Sequence, residues 1–118
     1  MDAIVTDNPY KIGGNVINQG LITNLPADAC VEVPCLVSKL GIQPTVVGKL
    51  PTQLAAMNMT NINTQLLTIE AAVTKKKDAI YQAAMLDPHT SSELSIDDIV
   101  KMCDDLLEAE KDWLPKYN

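Results

Sequence analysis

The chain has 118 residues, a hydrophobic fraction of 47% and a formal net charge of −6 at pH 7, which suits one globular domain. Residues 1–77 carry a charge of +1, residues 78–118 carry −7, and arginine is absent. The acidic half argues against nucleic acid or an anionic membrane as partner. The lack of arginine argues against a self-contained site for phosphorylated substrates.

The sequence predicts no targeting or membrane segment. No apolar run follows a basic N-terminal stretch, and no apolar stretch approaches the ~18 residues that a membrane span needs. The cysteines Cys30, Cys35 and Cys103 are odd in number and lack metal-ligand spacing. We therefore expect a cytoplasmic protein in a reducing compartment, with the three cysteines serving as small buried hydrophobic residues.

Short strands are predicted within residues 1–50. They fall at residues 3–5, 15–18, 21–23 and 45–48, separated by Asn, Gly and Pro turn signals. A further strand starts near Ala29, where residues 29, 31, 33 and 35 face one side and residues 30, 32 and 34 the other. Because Pro34 cannot donate to a ladder, we expect this strand to end or to lie at a sheet edge there.

Helices are predicted within residues 51–118. The longest covers 52–73, with an apolar stripe at residues 55, 59, 62, 66, 69 and 73. A second covers 78–86, and a third begins at Ser95, with Asp98 as a capping partner and an apolar face at residues 96, 99, 100, 103, 106 and 107. Trp113 and Leu114 are expected to dock. The predicted fold class is α+β, one domain with short strands followed by three helices.

Three asparagines are the candidate binding residues: Asn15, Asn18 and Asn24 lie at predicted strand ends, and their amides can both donate and accept hydrogen bonds. The alternative is that they form turns, which chemistry alone favours. Glu32 either faces solvent or pairs within a polar cleft or interface. His89 follows Asp87-Pro88, where a surface turn position is favoured over a catalytic base.

The chain shows no complete active site. It contains no glycine-rich phosphate loop, no nucleophile–base pair and no metal-ligand cluster. We therefore assign no catalytic, cofactor-binding or metal-binding residue within it.

A series of motifs nevertheless resembles one known family. They are GNVINQGLITNLPADACVEVPCLV (14–37), LGIQPTVVGKLPTQLAAMNMTNINTQLLTIEAAV (40–73), YQAAMLDPHTSSELS (81–95) and DDLLEAEKDWLP (104–115). Together they are similar to the C-terminal region of the family 4 glycoside hydrolases, on the α-galactosidase, α-glucosidase and α-galacturonidase side. Ser38-Lys39 and Lys75-Lys76-Lys77 depart from the family pattern in expected surface connections.

The resemblance implies the C-terminal half of a lactate/malate dehydrogenase-like fold without the Rossmann half. It also implies a carbohydrate-metabolising parent enzyme that uses NAD and a divalent metal, typically manganese, as an exception among glycosidases. In the mechanism that the resemblance implies, NAD takes hydride from C3 of the sugar, a base takes the C2 proton, the aglycone is eliminated, water adds and the hydride returns. The family's NAD loop, metal ligands and base lie upstream of this region, so this chain is expected to bind neither cofactor.

The sequence thus predicts the C-terminal piece of an NAD- and metal-dependent glycosidase that is inactive alone. It would contribute part of the glycoside pocket wall, through Asn15, Asn18 and Asn24, and a subunit interface of a homo-oligomer. The alternative is a non-catalytic binding or oligomerisation module derived from such an enzyme. If the chain is such a piece without its covering half, we expect an exposed apolar face and self-association.

Overall fold

The structure, a computed structural model, describes residues 1–118. Its elements are α1 (Asp2–Thr6), β1 (Tyr10–Ile17), β2 (Cys30–Ser38), β3 (Gly41–Pro44), α2 (Thr52–Thr74), α3 (Lys77–Leu86), α4 (Pro88–Glu93) and α5 (Ile96–Ala109). The predicted α+β class is confirmed, although five helices are present where three were expected. None of them combines the length and the apolar character needed to cross a bilayer. The chain divides into two compact units, Met1–Ala55 and Ala56–Asn118.

The first unit is built on an antiparallel sheet with the strand order β1-β2-β3. The alternation predicted from Ala29 is confirmed: Ala29, Val31, Val33 and Cys35 are buried, whereas Cys30, Glu32 and Pro34 are exposed. A two-residue turn at Lys39-Leu40 joins β2 to β3, and Gly41 after it has a φ of 95°, a left-handed value that favours glycine. One face of the sheet is therefore apolar and buried, and the other is open.

The prediction for Pro34 was wrong, because β2 continues to Ser38 and is the central strand. The carbonyl of Pro34 accepts a hydrogen bond from the Thr45 N–H at 2.9 Å. In an antiparallel pair the N–H of the same residue would point to the same neighbour. An N–H at residue 34 would therefore point just beyond Pro44, where β3 ends. Its absence removes no hydrogen bond between β2 and β3.

Three other strand predictions in this unit were wrong. Residues 3–5 belong to the short helix α1, residues 21–23 form only an isolated bridge between Ile22 and Gly48, and residues 45–48 follow β3 instead of forming a strand. The strand predicted at residues 15–18 is the end of β1, which begins at Tyr10. Short apolar runs do not reveal by composition whether they pair with a neighbour.

Helix α2 matches the predicted 52–73 almost to the residue. Its stripe is buried at Ala55 and Ile62 but exposed at Ile69 and Val73, which are 57% and 75% accessible. Ala71 is buried in their place. Within this chain the first half of the apolar stripe is thus buried, and the second half is exposed.

In the second unit, α3 packs against α5, with Ala79, Ala83, Ile99 and Cys103 in the buried layer. Ser95 caps α5 as predicted: its Oγ accepts a hydrogen bond from the Asp98 N–H at 3.2 Å. At the edges of the predicted apolar face of α5, Ile96 and Leu106 are exposed in this chain.

Backbone hydrogen bonds hold the C-terminal tail at its last residue, whereas its tryptophan makes no buried contact. The Asn118 N–H donates to the Lys75 carbonyl at 2.8 Å, and the Lys77 N–H donates to the Asn118 carbonyl at 2.9 Å. Trp113, however, is 87% exposed. The expectation that Trp113 docks was therefore wrong.

Candidate functional site

The loop of residues 18–29, called the β1–β2 loop below, is organised around the side chain of Asn18. This residue has no accessible surface. Its Nδ2 donates to the carbonyls of Ile22, Leu25 and Pro26 at 2.9, 3.0 and 2.9 Å, and its Oδ1 accepts from the Ile22 N–H at 2.7 Å. The Ile22 and Pro26 carbonyls also accept from the Leu25 and Ala29 N–H groups, both at 3.3 Å. For the Ile22 N–H and the Leu25 carbonyl, the amide substitutes for missing secondary structure.

Asn24 connects the same loop to the start of α2. Its Oδ1 accepts from the Leu50 N–H at 2.9 Å, and its Nδ2 donates to the Leu50 carbonyl at 3.0 Å. The Thr23 N–H donates to the Gly48 carbonyl at 3.0 Å beside it. Together these bonds fix residues 48–50, immediately before the helix that begins at Thr52.

Asn15 lies in a different environment. It is exposed on the open face of the sheet, on β1, and its register partner on β2 is Glu32, which is also exposed. Asn15 makes none of the side-chain hydrogen bonds that engage Asn18 and Asn24. The Glu32 carboxylate extends over Gly13, where an added Cβ would stand 2.8 Å from its Oε1. An amide and a carboxylate thus stand side by side, able to donate to and accept from a polar ligand.

The structure therefore separates the three predicted site residues. The amides of Asn18 and Asn24 are used by the backbone of their own unit, which supports the turn-forming interpretation for both. Asn15 is the one whose side chain remains free for a ligand. For Glu32, the structure supports the solvent-facing alternative within this chain.

A cavity of about 630 Å³ in the first unit lies away from these asparagines. It is lined by residues of α1 and the strands, among them Ala3, Ile4, Tyr10, Ile12, Val37 and Ile42. Ligand sites combine an apolar lining with a few convergent polar groups. No basic residue and only Asp2 among the acidic residues line this cavity.

The cysteines have different environments. Cys30 is exposed, which corrects the expectation that it is buried, whereas Cys35 and Cys103 are buried and all three are free thiols. Burial raises the pKa of the Cys103 thiol, and the neighbouring Asp104 carboxylate raises it further. Cys103 is accordingly a core residue and not a reactive thiolate.

His89 lies in the first turn of α4 and not in an irregular turn, and it is exposed. The neighbouring Asp87 caps this helix: its Oδ1 accepts from the Thr90 N–H at 2.8 Å and from the His89 N–H at 3.1 Å. Hydrogen bonds from Thr90, first from its backbone, lower the pKa of Asp87. The Asp87-Pro88 pair thus ends one helix and begins the next, with Pro88 at a position that tolerates a missing N–H.

One polar cluster was missed by the sequence reasoning. The Asp104 carboxylate on α5 accepts from the Tyr81 hydroxyl at 2.5 Å and from the Lys77 ammonium at 3.1 Å, both on α3. These two donors lower the pKa of Asp104. Lys77 and Tyr81 are four residues apart, a visible helical pair, but no local pattern predicts a partner on another helix. The cluster is solvent-exposed and joins α3 to α5.

Neither a metal ion nor a dinucleotide fits the residues of this chain. No group of three His, Cys, Asp or Glu side chains is arranged to hold a metal ion. The sheet is antiparallel throughout, whereas dinucleotide binding uses a glycine-rich turn between a parallel strand and its crossover helix.

Comparison with known proteins relates the chain to one family. The family model described as the family 4 glycosyl hydrolase C-terminal domain matches residues 1–90. An α-galactosidase of Bacillus subtilis is 63% identical over 99% of this chain and 27% of its own length. An α-galactosidase of Rhizobium meliloti is 34% identical over 99% of this chain and 24% of its own. The chain therefore spans about a quarter of the curated relatives that it matches.

Solved structures give the same relation. A 6-phospho-α-glucosidase from gut microorganisms, in complex with NAD and glucose-6-phosphate, superposes with a TM-score of 0.86 at 27% identity, over 99% of this chain and 26% of its own. A 6-phospho-β-glucosidase from Thermotoga maritima, with manganese, NAD⁺ and glucose-6-phosphate, gives a TM-score of 0.80 at 25% identity, over 98% and 28%. The chain belongs to family 4 of the glycosyl hydrolases and matches the C-terminal domain of that family.

Proposed function

We propose that these residues act as the C-terminal domain of a longer, cytoplasmic, NAD- and manganese-dependent glycosidase. The observation that carries the proposal is the 63% identity to an α-galactosidase over 99% of this chain but only 27% of that enzyme. The structures of two relatives that contain NAD, one of them with manganese as well, support the choice of cofactors for the whole enzyme.

The catalytic groups of the proposed enzyme lie outside these residues. The chain's own residues fit neither a metal ion nor a dinucleotide. We infer the C3 oxidation and elimination chemistry for the whole enzyme from the family resemblance, and we assign no step of it to a residue of this chain. In this proposal the 118 residues alone do not hydrolyse a glycoside.

The domain's contribution to the site is a wall of the sugar pocket on the open face of the sheet. Asn15 supplies an exposed amide there, and Glu32 stands opposite it. Sugar hydroxyls both donate and accept hydrogen bonds, which an amide–carboxylate pair can match. We take an α-galactoside as the substrate to test, because the relative that is 63% identical to this chain is an α-galactosidase. Asn18 and Asn24 hold the adjoining β1–β2 loop in shape.

A chimera tests the proposal. The 118 residues replace the matched region of the Bacillus subtilis α-galactosidase, and hydrolysis of an α-galactoside is measured with NAD⁺ and Mn²⁺. We expect the folded chimera to retain activity. A chimera that folds and binds NAD but hydrolyses no α-galactoside would contradict the proposed role of the domain.

Substitution within the chimera tests the pocket wall. Asn15→Ala removes one hydrogen bond, worth about 1 kcal/mol, so we expect kcat/KM to fall about fivefold without loss of folding. Asn61→Ala is the matched control, since Asn61 is an exposed asparagine on α2. Equal kcat/KM values for the two variants would show that Asn15 does not contact the substrate.

A further inference from the structure

Two adjacent glycines, Gly13 and Gly14, occupy the middle of β1. A glycine inside a strand weakens that strand, because it loses much backbone entropy on folding and has no side chain to pack. Neither glycine has the left-handed φ that would require one, in contrast to Gly20 and Gly41. The backbone conformation therefore does not explain these glycines, and the space beside each of them does.

The two glycines make room on opposite faces of the sheet. A Cβ at Gly14 would lie 2.7 Å from the Sγ of the buried Cys35. A Cβ at Gly13 would lie 2.8 Å from Oε1, 3.5 Å from Cδ and 3.7 Å from Cγ of Glu32, on the open face. Gly14 thus accommodates the packing of the core, whereas Gly13 accommodates an acidic side chain on the surface of the sheet.

The Glu32 side chain reaches Gly13 diagonally across the strands. Glu32 is directly opposite Asn15, and Gly13 is directly opposite Pro34. Diagonal neighbours on one face are about 7–8 Å apart, which a long side chain can span. Neither Gly13 nor Pro34 has a side-chain hydrogen-bond donor, and Glu32 forms no ion pair. The carboxylate thus lies against the sheet with its oxygens available to a ligand.

We infer that Gly13 is a positioning residue for Glu32, and that the Glu32 carboxylate binds two neighbouring hydroxyl groups of the sugar. A carboxylate has two acceptor oxygens and can accept from both hydroxyls at once, and hydrogen bonds to a charged acceptor are stronger than neutral ones. The missing side chain at position 13 lets the carboxylate lie along the sheet instead of projecting away from it. The inference rests on the proposed function, which places this face in the wall of the sugar pocket.

Substitution of Gly13 should change sugar binding and leave folding intact. In Gly13→Ala the added methyl group occupies the space of the Glu32 carboxylate. Because the carboxylate has no ion-pair partner to lose, it can move into solvent without loss of stability. The carboxylate then no longer lies where the hydroxyl groups of the sugar meet it.

Nuclear Overhauser effects in the 118-residue chain test the contact without any enzyme activity. We expect a cross-peak between the Glu32 Hγ and Gly13 Hα protons, since the Glu32 Cγ is only 3.7 Å from the position of an added Cβ. The Hα–Hγ cross-peak should disappear in Gly13→Ala. Absence of the cross-peak in the unsubstituted chain would overturn the inference.

A double-mutant cycle in the α-galactosidase chimera tests the effect on sugar binding. Gly13→Ala should raise KM about tenfold, as loss of a hydrogen bond to a charged group does, with kcat nearly unchanged because the loss is one of ground-state binding. Glu32→Ala should raise KM by at least as much. The double variant should match Glu32→Ala alone, since Gly13 acts only through that carboxylate.

Two kinetic results would overturn the inference, with far-UV circular dichroism verifying that each variant folds. One is an unchanged KM in the Gly13→Ala chimera. The other is an effect of Gly13→Ala that persists in full when Glu32 is already alanine, which would show that Gly13 acts through the strand itself. A folded chimera that is inactive without these substitutions would contradict the proposed function instead, so the two failures can be told apart.

Discussion

Replacement of Asn18 by alanine probes the residue that organises the β1–β2 loop. The Asn18 amide is fully buried and bonds to the backbone of Ile22, Leu25 and Pro26. Alanine removes these four contacts and leaves the Ile22 N–H and the Leu25 carbonyl without their partner. Water cannot easily replace the amide at a site with no accessible surface.

The expected loss is large for one side chain. Each net hydrogen bond contributes about 1 kcal/mol, and an orphaned buried group costs about 1–3 kcal/mol. The two hydrogens of one amide are shared among three carbonyls, so we expect a total loss of about 3–5 kcal/mol. A chain of this length has a total stability of about 6–18 kcal/mol. The urea midpoint should fall by about 2 M.

Urea unfolding followed by far-UV circular dichroism measures the effect. Trp113 fluorescence is unsuitable, because this side chain is already exposed in the folded state. Asn15→Ala is the matched control: Asn15 is an exposed asparagine only three residues away and should change stability by less than about 0.5 kcal/mol. If the two variants unfold at the same urea concentration, Asn18 does not organise the loop as described.

Three further predictions concern the other parts of the fold. Gly14→Ala should lower the free energy of unfolding by about 1–3 kcal/mol through overpacking, because its Cβ would lie 2.7 Å from the buried Cys35 Sγ. Gly13→Ala meets only the flexible Glu32 side chain and should unfold like wild type. Equal losses of stability for the two variants in urea unfolding would contradict this contrast. Alkylation should label Cys30 rapidly and the other two thiols only on unfolding, and mass spectrometry that finds equal labelling would refute this. The pKa of Asp87 is depressed below its ordinary 3.8. The helix cap that Asp87 forms should therefore stabilise the fold above that pH, and this stabilisation should be lost as the pH falls through the folded-state pKa. Thermal unfolding of Asp87→Asn should lack this acid-dependent loss, and a variant with the same acid profile as wild type would contradict the prediction.

The fold could be predicted from sequence where the pattern itself repeats. The alternation around Val31 has the two-residue period of a strand, and the long stripe of α2 has the period of a helix, so each predicts its element directly. Ile69 and Val73 continue the period of α2 but are exposed in this chain, since a period predicts an apolar face and not what covers it. Residues 3–5 are apolar and β-branched at two of three positions, yet this preference is weak against the context of a whole fold.

For the candidate site, the residue types could be predicted but their environments could not. Asn15 and Asn18 look alike in the sequence, three residues apart at the end of one strand. One is exposed and the other is fully buried, and only the loop that folds back over Asn18 distinguishes them. The Tyr81–Asp104 contact was missed for a similar reason, since 23 residues separate its partners.

We propose that this domain shapes a glycosidase site without containing its reactive groups. The most direct test is the hydrolysis of a chromogenic α-galactoside by the purified 118-residue chain, supplied with NAD⁺ and Mn²⁺ and compared with the active chimera. We predict that release of the chromophore matches the rate without protein, whereas the chimera turns over. Hydrolysis by the chain alone that scales with its concentration and disappears on heat unfolding would contradict the claim.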